Sequence, residues 1–304
     1  MVIYDYNDAE ISPKIRRIKG DELSLVQRIA DLGSECDAVF RGTYNGMDVA
    51  LKLKYQGGSD FAGFLKVEAN SIHTLQGVQA MPVLYGIVES ETISLADEKF
   101  EVGLGIVIEY VRGQPIMDVS EYVNKETARD YHTKTGINVH GSVGRQLAQY
   151  LRESMERRLV DTDLPERDIF LDVNDSEVRI TKIDQGHVKN RRDIDAGIDF
   201  EVYDHKYENA MKWLLALPMV DVSHGFREYL VLPSSNEKDY LEGATRYRRN
   251  GLASFAELIE SYARREFDTD TFQRRFPDDD TFLQFLDRWK KVMEDFGKFF
   301  ISQP

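Results

Sequence analysis

The sequence is poor in cysteine and in long apolar runs, and each shortage excludes a class of protein. Cys36 is the only cysteine among 304 residues, so neither an intramolecular disulfide nor a zinc site of four thiolates can form. The best candidates for a membrane span, Leu104–Tyr110 and Trp213–Val220, fall far short of the roughly 20 apolar residues that a bilayer requires. We therefore expect a protein of a reducing compartment with no membrane partner.

Basic residues are also scarce, because 39 Lys and Arg face 53 Asp and Glu, which gives a net charge of −14. Nucleic acid is an unfavourable partner for such a chain, since binding to its phosphates needs a basic surface. The N-terminus is acidic where a secretion signal is basic and then apolar, which favours a cytoplasmic location. Delivery into a host cell as an effector would leave no trace in the sequence.

What the chain does contain is apolar material for a core of one or two domains, 42% of its residues. Its first 110 residues are rich in β-formers, and the turn dipeptide Asn45-Gly46 predicts a hairpin. Periodicity predicts two paired antiparallel strands, a helix and two further strands, over Val39–Arg41, Val49–Leu53, Phe61–Leu75, Val83–Glu89 and Val102–Tyr110.

Beyond residue 111 the pattern changes, and Arg112-Gly-Gln-Pro115 marks the expected boundary. A helix is predicted over Gly144–Leu159, followed by two short strands, Ile169–Asp172 and Val178–Ile183. The last predicted helix follows the cap Asp278–Asp280, and its apolar stripe is expected to be core: Phe282, Leu286, Trp289, Met293, Phe296 and Phe300. The sequence thus predicts an α+β fold with a small β-rich lobe, residues 1–110, and a larger helical lobe, residues 111–304.

Five features of the chain could together carry phosphoryl-transfer chemistry. Lys52 lies on a predicted strand, where an ammonium can neutralise phosphate oxygens, and Glu68 on the following helix could pair with it. The apolar strand Ile106–Tyr110 runs into the predicted boundary, where its backbone could meet a planar ligand. Acidic side chains follow on two loops, Asp163 and Asp168 on the first and Asp184 on the second. Carboxylates of this kind can act at an acceptor hydroxyl or bind Mg²⁺.

In this order and spacing the chain resembles the protein-kinase-like superfamily, from residue 30 or so to residue 190. Val49-Ala-Leu-Lys52 is similar to the strand-three lysine motif, and Glu68 falls where the partner helix carries its glutamate. Ile108-Glu-Tyr-Val111 resembles a gatekeeper and hinge. The segments 163–168 and 184–186 resemble the catalytic loop and the metal-binding Asp-Phe-Gly motif.

The resemblance implies a two-lobed kinase-like fold with ATP and Mg²⁺ (or Mn²⁺) in a cleft, and transfer of the γ-phosphoryl group to a hydroxyl on a protein or small molecule. It also implies the residue roles: Gly33 covers the phosphates, Lys52 contacts them, and Glu68 fixes Lys52; Glu109 and Val111 meet the base, Asp163 acts at the acceptor hydroxyl, and Asp168 and Asp184 hold the metal.

The chain also departs from the family pattern. Only Gly33 remains of the three loop glycines, and Glu35 and Asp37 beside it would repel phosphate. Asp161, Asp168 and Gln185 replace the usual histidine, asparagine and phenylalanine, and no Ala-Pro-Glu follows Asp184. These departures favour an atypical branch: RIO-like, sugar-kinase-like, aminoglycoside phosphotransferase-like or a kinase-fold bacterial effector. A pseudokinase scaffold that binds nucleotide, an enzyme that transfers AMP and a helical docking platform stay open as alternatives.

Overall fold

A computed structural model describes residues 10–30, 36–57, 62–116, 125–161, 164, 166–174, 176–186, 188–190, 207, 210–212, 214–215, 237–266 and 278–302. The fold is α+β. In chain order its elements are β1 (Leu23–Ala30), β2 (Ala38–Tyr44), β3 (Met47–Tyr55), α1 (Ala62–Thr74), β4 (Leu84–Leu95), β5 (Glu98–Glu109), β6 (Gln114–Pro115), α2 (Lys125–Thr135), α3 (Val139–Glu156), β7 (Leu159–Asp161), β8 (Ile169–Val173), β9 (Val178–Lys182), β10 (Val188–Asn190), α4 (Glu237–Arg249), α5 (Ala253–Glu266) and α6 (Asp279–Ser302).

The chain forms two compact units. The first combines Met1–Arg112 with Arg157–Leu159 and Lys182–Phe200, and the second contains the remaining residues. The boundary predicted at residue 110 divides the chain into two continuous segments, whereas the first unit is built from three. Lys182 belongs to it because its backbone N–H donates to the carbonyl of Ala80, at 2.8 Å. The loop that carries Asp184 is therefore part of the same unit as Lys52 and Glu68.

The first unit is built on an antiparallel sheet of five strands in the order β1-β2-β3-β5-β4. The predicted hairpin is confirmed, since β2 and β3 pair across Asn45 and Gly46, which have φ angles of 50° and 78°. Side chains alternate along β3: Val49, Leu51 and Leu53 join an apolar cluster on one face of the sheet. The even positions of β3, Lys52 among them, project from the opposite face.

Strand β1 was absent from the sequence prediction, which placed only two strands before the helix. The reason is its exposed position at one edge of the sheet, where Val26 and Ile29 are 62% and 41% exposed. Two register shifts against β2 also break the alternation of apolar and polar residues on which the prediction depended. The correct order is therefore three strands, one helix and two strands.

The second unit contains a sheet in the order β6-β8-β9 and the helices α2 to α6. Gly113, with φ of 92°, lies so close to β8 that a Cβ atom would fall 2.2 Å from the carbonyl oxygen of Leu171. Helix α3 begins five residues earlier than predicted. Its N-terminus is capped by Asn138, whose Oδ1 accepts the N–H of Gly141 at 3.0 Å, and the glycines of this first turn concealed it.

Helix α6 confirms the predicted cap and core stripe. Asp278 Oδ1 accepts the N–H of Thr281 at 2.7 Å. The stripe is buried from Phe282 to Phe296, and the side chain of Phe300 lies outside the described residues. Close packing of α6 on α3 depends on Gly144, where a Cβ atom would fall 2.5 Å from that of Met293. Across the described ranges, every helix is too short or too polar to span a bilayer.

Candidate functional site

The Lys52–Glu68 ion pair is the centre of the candidate site. Lys52 Nζ lies 2.6 Å from Glu68 Oε1, and the two side chains are 12% and 5% exposed. The pairing predicted from sequence is confirmed. β3 directs Lys52 away from the apolar cluster, and Glu68 lies on the buried face of α1. The ammonium is thus held in place by a carboxylate while part of its side chain remains accessible.

The electrostatics of the pair keep Lys52 positively charged. Burial by itself lowers the pKa of Lys52, but the carboxylates of Glu68 and Asp184 outweigh burial and raise that pKa above its ordinary value. Burial raises the pKa of the Glu68 carboxyl, against the opposing effect of Lys52. A fixed cation in a partly dehydrated place is what a site for phosphate oxygens requires.

The same glutamate connects this pair to the loop that carries Asp184. Glu68 Oε1, besides contacting Lys52, accepts the backbone N–H of Gln185 at 3.4 Å. The Asp184 carboxylate in turn accepts the N–H of Gly186 at 3.2 Å and contributes to the field at Lys52. Three of the predicted site residues, Lys52, Glu68 and Asp184, are therefore brought together within the first unit.

Lys182, which the sequence analysis did not single out, supports this loop. Its side chain is buried, and its ammonium donates to the backbone carbonyls of Ile183, at 3.0 Å, and of Asp184. Asp184 has a φ angle of 61°, a left-handed conformation that costs free energy in a residue with a Cβ atom. The Lys182 ammonium stabilises this backbone. A lysine at the end of a short strand, two residues before Asp184, was the available signal.

Cys36 is a second residue that the sequence analysis left without a role at the site. It is buried, and the field it experiences comes from Lys52, Glu68, Lys54 and Asp184. Burial is the main cause that raises the pKa of its thiol to about 11. The thiol is therefore neutral at physiological pH and acts as a small apolar side chain beside Lys52.

The expected repulsion of phosphate by Asp37 is not supported by the contacts of its carboxylate. Asp37 Oδ1 lies 3.1 Å from Lys54 Nζ, and Oδ2 accepts the N–H of Tyr55 at 2.8 Å. Because Lys54 is 3% exposed, this is a buried ion pair that compensates the charge of Asp37. Glu35, for which the same repulsion was expected, lies outside the described residues, as does Gly33.

The predicted hinge residues also belong to the first unit. The Glu109 N–H donates to the carbonyl of Val83 at 2.8 Å, and its side chain accepts the N–H of Val83 at 3.3 Å. A nucleotide base bound here could therefore not accept a hydrogen bond from the Glu109 N–H, which already donates to Val83. Val111 is half-buried, and its backbone makes no hydrogen bond within the described part of the chain, so it is the better candidate for a planar ligand edge.

Two predicted site residues, Asp163 and Asp168, are not placed in this cluster by the described part of the structure. Asp163 lies outside the described residues, and its assignment to the acceptor hydroxyl stays a prediction. Asp168 belongs to the second unit, at the end of a short 3-10 turn, where its side chain is 14% exposed and lies 3.7 Å from Arg167 Nε. Its role as a metal ligand also stays a prediction.

The donor atoms of the cluster fit a metal–phosphate group. Sites for Mg²⁺ with nucleotides use one or two carboxylates together with phosphate oxygens, and Asp184 offers such a carboxylate. Among the residues that the structure describes, no three His, Cys, Asp or Glu side chains are placed to hold a metal ion by themselves. Phosphate oxygens and water molecules are the ligands that would complete the coordination beside Asp184.

Asp161, which stands where the family has histidine, has a different environment in the second unit. Its carboxylate is 2% exposed and accepts the hydroxyl of Tyr150, which is completely buried, at 2.7 Å. Burial, followed by the charge of Asp161, raises the pKa of Tyr150 well above its usual value. Asp161 is thus a buried acceptor that connects β7 to α3.

Comparison with models of known protein families gave no match for this chain, and a search among curated proteins found no relative.

Proposed function

We propose that the protein is an atypical kinase-like phosphotransferase that binds ATP with Mg²⁺ (or Mn²⁺) and transfers the γ-phosphoryl group to a hydroxyl of a protein or small molecule. The observation that carries the proposal is the buried Lys52–Glu68 pair, whose glutamate also accepts the N–H of Gln185 beside Asp184. A two-lobed kinase-like architecture is part of the proposal, and the first unit, a five-stranded sheet with helix α1, is compatible with its smaller lobe.

Each residue of the cluster has a definite part in this reaction. Lys52 provides the fixed positive charge for the α- and β-phosphate oxygens, and Glu68 prevents the ammonium from changing position. Asp184 provides a carboxylate for the metal, which when bound neutralises charge on the phosphates. Lys182 is a positioning residue, because it acts on the backbone of Asp184 rather than on the nucleotide.

The assignment of the residue at the acceptor hydroxyl rests on the sequence alone. We assign Asp163 to orient that hydroxyl and to accept its proton, as the carboxylate at this position of the kinase catalytic loop does. Its substitution should leave nucleotide binding intact, because the groups that would bind the phosphates are Lys52 and Asp184. Loss of transfer with preserved binding would therefore separate the two ends of the reaction.

The test compares label from γ-labelled and α-labelled ATP on the protein itself and on casein added as a general acceptor. We expect γ label to be transferred by the natural sequence and lost in Asp184→Asn and in Asp163→Asn. Asp97→Asn, an exposed residue between β4 and β5, is the matched control and should retain activity. Full activity in both site variants would refute the site assignment.

Two other outcomes correspond to the alternatives that the sequence left open. Transfer of the α label would identify the enzyme as one that transfers AMP, and the intact mass of the product would confirm this. A melting temperature raised by ATP with no transfer of either label would indicate a nucleotide-binding scaffold. The scaffold is favoured by one feature of the chain, the loss of two of the three loop glycines.

A further inference from the structure

A pocket between helices α5 and α6 has no part in the proposed phosphoryl transfer. Its volume is about 130 Å³, and its floor is formed by buried side chains, Leu258, Tyr262 and Phe285. A cavity of about 150 Å³ is known to accommodate benzene, so the floor can cover an apolar group of about six heavy atoms. The pocket lies wholly within the second unit and is formed by residues of the described part of the chain.

Cationic side chains stand beside this apolar floor. Two arginines, Arg265 and Arg288, line the pocket, and among the described residues that line it there is no acidic one. This is notable in a chain that carries 53 acidic residues against 39 basic ones. Arg265 reaches the floor, where its Nη2 lies 3.9 Å from the sulfur of Met211.

Arg288 is held in place without an acidic partner. Its Nη1 donates to Ser261 Oγ at 3.0 Å, and its Nη2 donates to the backbone carbonyl of Glu257 at 3.4 Å. No carboxylate lies within ion-pair distance of Arg288 in the described part of the chain. A guanidinium has five N–H donors, so donors remain for a ligand in the exposed mouth of the pocket.

The acidic residues near Arg288 have other contacts. Asp287, its neighbour in the chain, pairs with Arg152 at 2.9 Å. The Glu257 carboxylate acts on Arg248, which belongs to α4. Asp278 accepts the N–H of Thr281, and Asp279 accepts the hydroxyl of Tyr207 at 2.8 Å. These carboxylates therefore do not form ion pairs with the guanidinium of Arg288.

We propose that the α5–α6 pocket binds a small anion with an apolar body, a carboxylate or phosphate monoester whose ring or short alkyl group lies on the floor. Arg288 contacts the anionic head, since guanidinium binds carboxylate and phosphate oxygens with two parallel N–H donors. The floor alone would bind any small apolar group, and the arginines alone would bind any small anion. The combination selects molecules that carry both.

The probes for the test are phenyl phosphate and benzoate. Benzyl alcohol is the neutral control, and inorganic phosphate is the control that carries the anion without an apolar group. Binding is measured by calorimetry and ligand-observed NMR. We expect both anionic aromatics to bind the natural sequence with a Kd of about 1 mM or below, and both controls to bind about tenfold more weakly.

Arg288→Gln should weaken the binding of both anionic probes about tenfold while the melting temperature is preserved, because the residue is exposed and glutamine can still donate to Ser261. Arg246→Gln, on the exposed surface of α4, is the matched control. The double variant Lys52→Met/Glu68→Leu should keep the binding, which distinguishes this pocket from the proposed nucleotide site. Equal binding of probes and controls, equal binding by Arg288→Gln, or no saturation up to about 10 mM would overturn the proposal.

Discussion

The protein buries carboxylates in two regions, and the partner of each carboxylate differs. Glu68 in the first unit is paired with the cation of Lys52, whose side chain is 12% exposed, and it also accepts the N–H of Gln185. Asp161 in the second unit accepts a hydroxyl from Tyr150, which is completely buried. The first carboxylate positions a charged group that is partly exposed, whereas the second connects two elements of the fold.

This difference shows why burial of a charge does not by itself identify a functional residue. A buried ion pair gives little net stability, because desolvation offsets most of the attraction between its members. Stability alone is therefore a weak explanation for the Lys52–Glu68 pair, and the proposed phosphate site requires the fixed cation that the pair provides. The donor of the Tyr150–Asp161 hydrogen bond is a buried neutral hydroxyl, and stability is a sufficient explanation for that bond. Substitutions in the two regions should accordingly affect different measurements.

The largest expected effect is that of Lys52→Met on phosphoryl transfer. Loss of one fixed charge at the reacting phosphates should reduce kcat about 10²–10³-fold. The single substitution leaves Glu68 buried and unpaired, which by itself destabilises a protein by about 3–5 kcal/mol. The double variant Lys52→Met/Glu68→Leu removes both charges and should recover the melting temperature without recovering transfer.

Lys54→Met is the matched control for this experiment. Lys54 lies on the same strand, is more deeply buried, with 3% of its side chain exposed, and also has a carboxylate partner, Asp37. Its loss should lower the free energy of unfolding while kcat per folded molecule stays near that of the natural sequence. If Lys54→Met and Lys52→Met reduce kcat equally, or if the double variant recovers activity, the distinction between a functional and a structural lysine would be wrong.

A smaller effect is expected when Lys182 is replaced by methionine. Groups that orient a metal ligand commonly account for about 10–100-fold in metal affinity or activity, and Lys182 holds the left-handed backbone of Asp184. We expect the Mg²⁺ concentration at half-maximal activity to rise while the KM for the acceptor stays constant. A purely structural role would lower the melting temperature without changing the Mg²⁺ dependence.

The second region should respond in stability alone. Tyr150→Phe removes the hydroxyl that donates to the buried carboxylate of Asp161, and we expect the free energy of unfolding in urea to fall by about 1.5–3 kcal/mol. Tyr131→Phe is the control, because its hydroxyl binds carbonyls in an exposed setting and its loss should cost less. A selective loss of phosphoryl transfer in folded Tyr150→Phe would show that the second region is also functional.

The parts predicted correctly from sequence are those with a local chemical cause. Asn45-Gly46 required a hairpin, Asp278 capped α6, and the apolar stripe of that helix had to be buried. The Lys52–Glu68 pair was predicted from an ordered set of motifs. Strand β1 could not be predicted in the same way, because an exposed edge strand with two register shifts lacks a regular pattern.

Contacts between distant parts of the chain were the other source of error. Asp37 was expected to repel phosphate because its sequence position beside the glycine loop says nothing of Lys54, which is 17 residues away. Cys36 was left without a role for the same reason, because its position beside Lys52 arises from the pairing of β2 with β3. Lys182 is a different case: its ammonium contacts the carbonyls of the next two residues, so the signal was local and was overlooked.

Cys36 provides the smallest expected effect, a change in the pH dependence of stability. Burial raises the pKa of its thiol from 9.0 to about 11. Below the lower value the thiol is protonated in both states, so it causes no pH dependence. As the pH rises from 9.0 towards 11, the unfolded chain loses this proton and the folded chain retains it, so stability is lost. Tyrosines and lysines also titrate in this range, and Cys36→Ala, which lacks only the thiol, corrects for them.

We therefore expect the urea midpoint of the natural sequence to fall more steeply across this range than that of Cys36→Ala. Iodoacetamide at about pH 8 should modify the urea-unfolded chain and leave the folded chain unmodified, since the buried thiol is both protonated and inaccessible. Equal alkylation rates in the folded and unfolded protein would mean that solvent reaches the space beside Lys52 freely. The first region would then be solvated rather than partly dehydrated, and a solvated Lys52 would bind phosphate far more weakly.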